Sequence, residues 1–232
     1  MKLFFKFFSL LFFLTLTIFS PLFAKEYKEV YVIEVGKINI GSLFWNISLA
    51  ENNYKISIKL ENNKFLSHLY KFEGEYEAKG LIVNNALFPI KYNQTWLTKK
   101  KKTKVEMIFD KDSLIELKLS PEETEHARIK YIGIINHLDP LSSFLNILLG
   151  QEQSKTIDGR RIYTMQVSGK ENTNNIKTKN ILIQNYVNIW ADHKKNDLKY
   201  IEVSQKLNEK SFKMPLVVKI KFKGILLKLN KI

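Results

Sequence analysis

The 232-residue chain contains no cysteine. Disulfides, thiolate metal sites and a lipid anchor on an N-terminal cysteine are therefore excluded, and stability has to come from an apolar core. Arginine is almost missing: Arg128, Arg160 and Arg161 are the three, and the other 34 of the 37 basic residues are lysine. Glycine (nine) and proline (five) are sparse. No G-x-G-x-x-G or Walker pattern forms, which argues against a nucleotide site. Past residue 24 no apolar run reaches the ~20 residues of a transmembrane helix. Zinc-finger spacing and RNA-binding signatures are missing as well.

The first 24 residues have the pattern of a secretory signal. Lys2 and Lys6 give a basic start, Phe7 to Phe19 is largely apolar, and "SPLFA" ends on the small Ala24,. Cleavage there leaves a single β-rich domain, residues 25–232. The competing reading retains Leu3 to Phe23 as an anchor, a stretch long enough to span a bilayer. A formal charge of +14 suggests nucleic acid at first sight. Abundant lysine, asparagine, isoleucine and phenylalanine are also what AT-rich coding produces, and an exported chain seldom meets nucleic acid. An anionic membrane surface is the more natural partner for clustered lysines; the plainer alternative is that lysine solubilises the wet face of strands.

The dominant period is two. Tyr54, Ile56, Ile58 and Leu60 alternate with Lys55, Ser57, Lys59 and Glu61; Val105, Met107 and Phe109 repeat the pattern, as do Ile115, Leu117 and Leu119, and Val218, Ile220 and Phe222. Such alternation predicts antiparallel sheet with one wet face. Polar breaks at Glu61 to Lys64, Asp110 to Ser113 and Asp192 to Asp197 predict a meander of roughly nine to twelve strands. The run Lys99 to Lys102 marks a hairpin tip. Gly36 and Gly41 flank a short strand, permitting a turn and a bulge.

One segment departs from the rhythm. In "NHLDPLSSFLNILLG", Asp139 is an N-cap, Pro140 takes the first helical position, and Leu141, Phe144, Leu145 and Leu148 form a stripe that Gly150 ends,. A helix over residues 140–149 is predicted, packed by that stripe on the sheet. "NKFLSHLYKF", with Phe65, Leu66 and Leu69, is a weaker helical candidate.

The chemistry-bearing residues do not assemble into a motif. His68, His126, His137 and His193 share no ligand spacing, and "EETEH" (Glu122 to His126) lacks the H-E-x-x-H order,. It reads as a solvated acidic turn, and His137 as a local hydrogen-bonding group. Glu73 and Glu75 have the residue types of a glycosidase pair, but alternating acids on a wet strand face are far commoner. Trp45, Trp96 and Trp190 fall in predicted strands, either as core or as the lining of an apolar cavity. In "TIDGRRIY", Asp158-Gly159 predicts a reverse turn,. Strand phase then places Arg161 with Tyr163 and Met165 on the apolar face, and Arg160 on the wet one. Arg161 is expected to pair with Asp139 or Asp158 in a clamp between helix cap and turn; the alternative is an anionic ligand.

"HLDPLSSFLNIL" and "DGRRIYTMQVSG", in that order after "VGKINIG", "YKFEGEYEAKG" and "FPIKY" and before "MPLVVKIKFKGILLKL", resemble the exported bacterial family classed as domain of unknown function 3108. The resemblance implies a mostly β envelope protein of Gram-negative bacteria with no established activity. It also implies that Asp139, Pro140, Leu141, Ser142, Asp158, Gly159, Arg160, Arg161 and Tyr163 are signature positions rather than catalytic ones.

The expected fold is mainly β: a curved antiparallel meander or half-open β-barrel with one packed α-helix over residues 140–149. The expected function is non-enzymatic, without cofactor or metal: a periplasmic protein binding an apolar or lipid-like ligand in envelope maintenance. An envelope scaffolding module that engages a protein partner is the alternative, and an envelope hydrolase ranks last.

Overall fold

The computed structural model describes residues 24–63, 71–190, 197–207 and 212–232. The signal-like segment before Ala24, the "NKFLSHLYKF" helical candidate up to Tyr70, His68 and His193 lie outside these residues. Thirteen strands form one antiparallel sheet: β1 (Lys25–Val35), β2 (Ile38–Leu49), β3 (Asn53–Asn62), β4 (Phe72–Val83), β5 (Ala86–Thr98), β6 (Lys102–Asp110), β7 (Ser113–Ser120), β8 (Gln153–Ile157), β9 (Arg161–Thr173), β10 (Ile176–Asn188), β11 (Leu198–Lys206), β12 (Val217–Phe222) and β13 (Ile225–Lys231). Among the described residues one helix, α1 (Pro140–Leu149), separates β7 from β8. The strand count exceeds the expected nine to twelve. The five residues of β8 are too few to give a clear alternation, which removes one strand from a pattern-based count.

In space the strands run β7-β6-β5-β4-β3-β2-β1-β13-β12-β11-β10-β9-β8. Two meanders therefore meet where β1 pairs with β13, Tyr31 opposite Lys231 and Val35 opposite Leu227. Register shifts at Ile33/Glu34, Lys79/Gly80, Ile108/Phe109 and Gln184/Val187 each add local twist and bend the sheet toward a barrel. Gly36 takes a left-handed φ of 61° in the β1–β2 turn, and Gly41 lies opposite the first bulge, as its sequence position predicts. The strand it was expected to bound runs straight through it, because a glycine there lets the Glu61 carbonyl approach to where a Cβ would stand.

The two edge strands do not pair with each other, so the sheet stays open. The connection from β7 to α1, residues 121–139, straps the opening. It bonds β7 through Leu114 N–H to the Ile134 carbonyl (3.1 Å), and β8 through Ile157 N–H to the Leu138 carbonyl (2.9 Å). Ile129, Tyr131 and Ile134 turn inward onto the core. Trp190, expected in a strand, lies two residues beyond the end of β10 and packs its ring on Tyr131 of this strap.

The inward faces carry the core, among them Tyr31, Trp45, Ile47, Tyr54, Ile56, Ala78, Tyr92, Met107, Ile181 and Val203. Helix α1 fills the concavity, touching β4 and β5 on one side and β8 and β9 on the other. Being enclosed by strands on both flanks, it is buried more widely than a one-sided stripe requires: Ser142 and Ser143 are buried beside Leu145, Ile147 and Leu148, whereas Leu141 and Phe144 are half-buried.

Candidate functional site

The predicted signature residues gather at the β8–β9 turn and at the start of α1. Asp139 caps the helix: one carboxylate oxygen accepts the N–H groups of Leu141 (2.9 Å) and Ser142 (3.0 Å), the other the Ser142 hydroxyl (2.5 Å). The Ser142 and Tyr54 hydroxyls are 2.7 Å apart, and the Thr156 hydroxyl donates to that of Ser143 at 2.8 Å. Pro140 costs nothing at the first helical position, where its missing N–H has no partner in any case. Burial pushes the Asp139 carboxyl up to about 6, against the lowering effect of its donors. Burial likewise raises Tyr54 and Tyr92, with Asp139 adding to both. This is a polar knot enclosed by core, not an open pocket.

The other pole of the helix is held by a residue that was not singled out from the sequence. Lys179 of β10, 3% exposed, donates its ammonium to the carbonyls of Ile147 (2.6 Å) and Leu148 (3.4 Å). Burial lowers its pKa to about 8. A buried cation on the last-turn carbonyls complements the carboxylate at the first turn, each facing the helix dipole with the favourable sign. The signal was present: residues 179, 181 and 183 share one strand face, so the phase that buries Ile181 and Ile183 buries Lys179 too.

In the β8–β9 turn, Asp158 accepts the N–H groups of Arg160 (3.0 Å) and Arg161 (2.8 Å). Gly159 has φ +90°, and a Cβ on it would lie 2.6 Å from Val105, with Leu117 and Leu119 close behind. The turn thus rests on β6 and β7 across the open side of the sheet. The expected partnership of Arg161 is met only in part. It lies 3.9 Å from Asp158, a loose ion pair, whereas Asp139 is occupied by its cap bonds. Arg160 departs from its expected freedom in water: its guanidinium pairs with Glu123 at 2.6 Å and reaches the Pro121 carbonyl at 3.5 Å. Both side chains of that pair are about three-quarters buried. Strand phase fails for Arg160 because it stands in the turn, ahead of β9. The "EETEH" turn, expected to be solvated throughout, is exposed at Glu122, Glu125 and His126, but Glu123 turns in to meet Arg160. Tyr163 is buried and stacks on Tyr186.

Outside this region, His137 hydrogen-bonds locally to the Ile135 carbonyl at 2.7 Å, as read from the sequence. Trp45 stacks on Phe144 of the helix, and Trp96 on Phe72. Glu73 and Glu75 line a groove of about 660 Å³ on the outer face of β3, β4 and β5. There Glu73 pairs with Lys71 at 3.1 Å, and Glu61 and Glu75 hold the Lys59 ammonium above its ordinary pKa. Those are the balanced charges of a wet strand face. Among the described residues no three His, Asp or Glu side chains gather where they could hold a metal ion.

The profile of the proteins of unknown function DUF3108 matches residues 30–222. The chain belongs to this family. Its matched span begins within β1, ends at the last residue of β12, and includes the helix cap, the strap and the β8–β9 turn. No curated protein matches the chain. Among solved structures, the beta-barrel-like protein of domain of unknown function DUF1849 from Brucella abortus superposes with a TM-score of 0.52 at 9% identity, covering 90% of this chain and 96% of that one. The likeness is one of fold: a barrel-like sheet is shared with a protein that is itself of unknown function.

Proposed function

We propose that this DUF3108 protein is an exported, non-enzymatic envelope protein that acts through its outer surface. The observation that carries this reading is the occupied interior. Asp139, Ser142, Leu145, Ile147 and Thr156 are each 1% exposed or less, and Trp45 closes on Phe144, so the concavity in which a barrel-like fold would hold a ligand is taken by the chain's own helix. The signal-like N-terminal segment supports export. Asp139 and Asp158 cap the helix and the β8–β9 turn, Glu123 pairs with Arg160, and Glu73 and Glu75 stand among lysines on a wet strand face.

A second reading is an apolar or lipid-like ligand that takes the place of α1. It is favoured by one feature: each pole of the helix is tied by an ionisable group, Asp139 and Lys179, whose pKa values of about 6 and about 8 bracket neutral pH. The two readings separate in one experiment. Native mass spectrometry of the purified protein is expected to yield a mass equal to that of the unliganded chain. A stoichiometric lipid-sized adduct that survives delipidation of the outer surface would overturn the surface reading in favour of the ligand.

A further inference from the structure

The antiparallel order sorts the turns between two ends of the sheet. The β2–β3, β4–β5, β6–β7 and β9–β10 turns share one end with the β11–β12 connection, which bears exposed Lys213; three of the turns are built from neutral or balanced residues: Asn84-Asn85, Asn174-Asn175 and Lys111-Asp112. The β1–β2, β5–β6, β8–β9 and β12–β13 turns share the other end. Because Val35 is opposite Leu227, the β1–β2 and β12–β13 tips stand side by side there. Lys37 and Lys223 are exposed at these tips. Beside them Ile38 is 63%, Ile225 49% and Leu226 39% exposed. Lys99 to Lys102, all exposed, occupy the β5–β6 tip at the same end.

Strand alternation does not account for these aliphatic groups. Leu229 and Leu43 serve the core further along the same strands, while Ile225 and Leu226 are consecutive and both reach solvent. Solubilisation would explain the lysines but not aliphatic side chains between them. Val83, Ile176 and Leu207 are also exposed at the opposite end, where Ile176 lies opposite Lys206, but the turn tips beside them, Asn84-Asn85 and Asn174-Asn175, carry no charge. Protruding aliphatic groups beside ammonium groups match a bilayer interface, where the first enter the acyl boundary and the second meet anionic headgroups. Lys223 approaches Asp197 at 3.8 Å and lies over the Phe222 ring at 5.2 Å; its side chain, more than half exposed, reaches the rim.

We propose that this end of the sheet, led by the tips at Lys37-Ile38 and Lys223 to Leu226, docks on an anionic lipid bilayer. The inference rests on the surface-acting reading and names the surface. The test is cosedimentation of the protein purified from the envelope with vesicles of equimolar phosphatidylcholine and phosphatidylglycerol, against vesicles of phosphatidylcholine alone. Binding is expected only to the anionic vesicles. The Lys37→Gln/Lys223→Gln double variant is expected to bind roughly 25-fold more weakly, about fivefold for each lysine. The Ile38→Ser/Ile225→Ser variant is expected to lose about tenfold or more by removing inserted aliphatic surface. Lys111→Gln/Lys177→Gln, at or near the asparagine end, is expected to change nothing. Equal binding to neutral vesicles, an equal loss from the opposite-end variant, insensitivity to the isoleucine changes, or no vesicle binding at all would overturn the proposal. A protein partner captured by the same two tips without any vesicle binding would overturn the bilayer and leave the surface-acting reading standing.

Discussion

Asp139 and Lys179 are buried ions that hold the two poles of one helix, and their burial makes the fold sensitive to pH from both sides. Asp139 has a folded-state pKa of about 6 against an ordinary 3.8. Its contribution to stability is full below the ordinary value and is lost as pH rises through 6. About two units correspond to roughly 3 kcal/mol. Lys179 has the opposite sign: with its pKa lowered to about 8 from 10.5, its contribution is full above 10.5 and is lost as pH falls through 8. Both groups are therefore charged, and both desolvated, near pH 7. Asp139→Asn keeps an acceptor for the cap N–H groups and cannot titrate. Urea denaturation at a series of pH values is expected to show the wild type losing stability relative to this variant between pH 4 and 6.5; parallel curves would contradict the assignment. The cap was legible in D-P-L-S because an N-cap and its proline are local features. Lys179 was passed over because a lysine in a lysine-rich strand suggests a wet face, although its phase with Ile181 and Ile183 places it inside.

At the scale of elements, the β8–β9 turn and the strap explain why two arginines stand together in a lysine chain. The turn must cross the open side of the sheet, lie flat on Val105 and Leu117, and reach Glu123 in a segment without regular structure. A planar guanidinium can bond a carboxylate and a carbonyl at once, which an ammonium does with less directional fit. Gly159→Ala is expected to cost about 2 kcal/mol or more, from its left-handed φ and from the contact with Val105 together, measured as a lowered urea midpoint with an unchanged slope. A double-mutant cycle on Arg160→Lys and Glu123→Gln is expected to return a coupling of about 1 kcal/mol, as for other partly buried charge pairs. Additive effects would mean that the pair contributes nothing to closure. Strand phase separated the two arginines correctly for Arg161, which lies in β9. It failed for Arg160, whose partner lies 37 residues earlier in the sequence in a stretch with no periodic signal to position it.

For the whole molecule, the sheet and its wet face were written in the period-two pattern, and the helix in its cap and stripe. The partial closure was not, because it depends on where bulges fall and on a strap, residues 121–139, whose contacts are irregular backbone bonds to both edges. That the tips bearing Lys37, Lys99 to Lys102 and Lys223 share one end follows from topology, and becomes visible only once strand order is known. That order has a further consequence. The first and last strands, β1 and β13, are partners at the middle of the sheet, 202 residues apart at the Glu29–Lys231 ion pair. Each meander can zip locally, hairpin by hairpin, but the seam between them has no local route and needs the largest loop closure in the molecule. The two halves are therefore separate until the last strand arrives. Until then the inner edges β1 and β12 are bare, and a chain emerging from a membrane pore in N-to-C order would expose β1 to other chains for the whole of its passage.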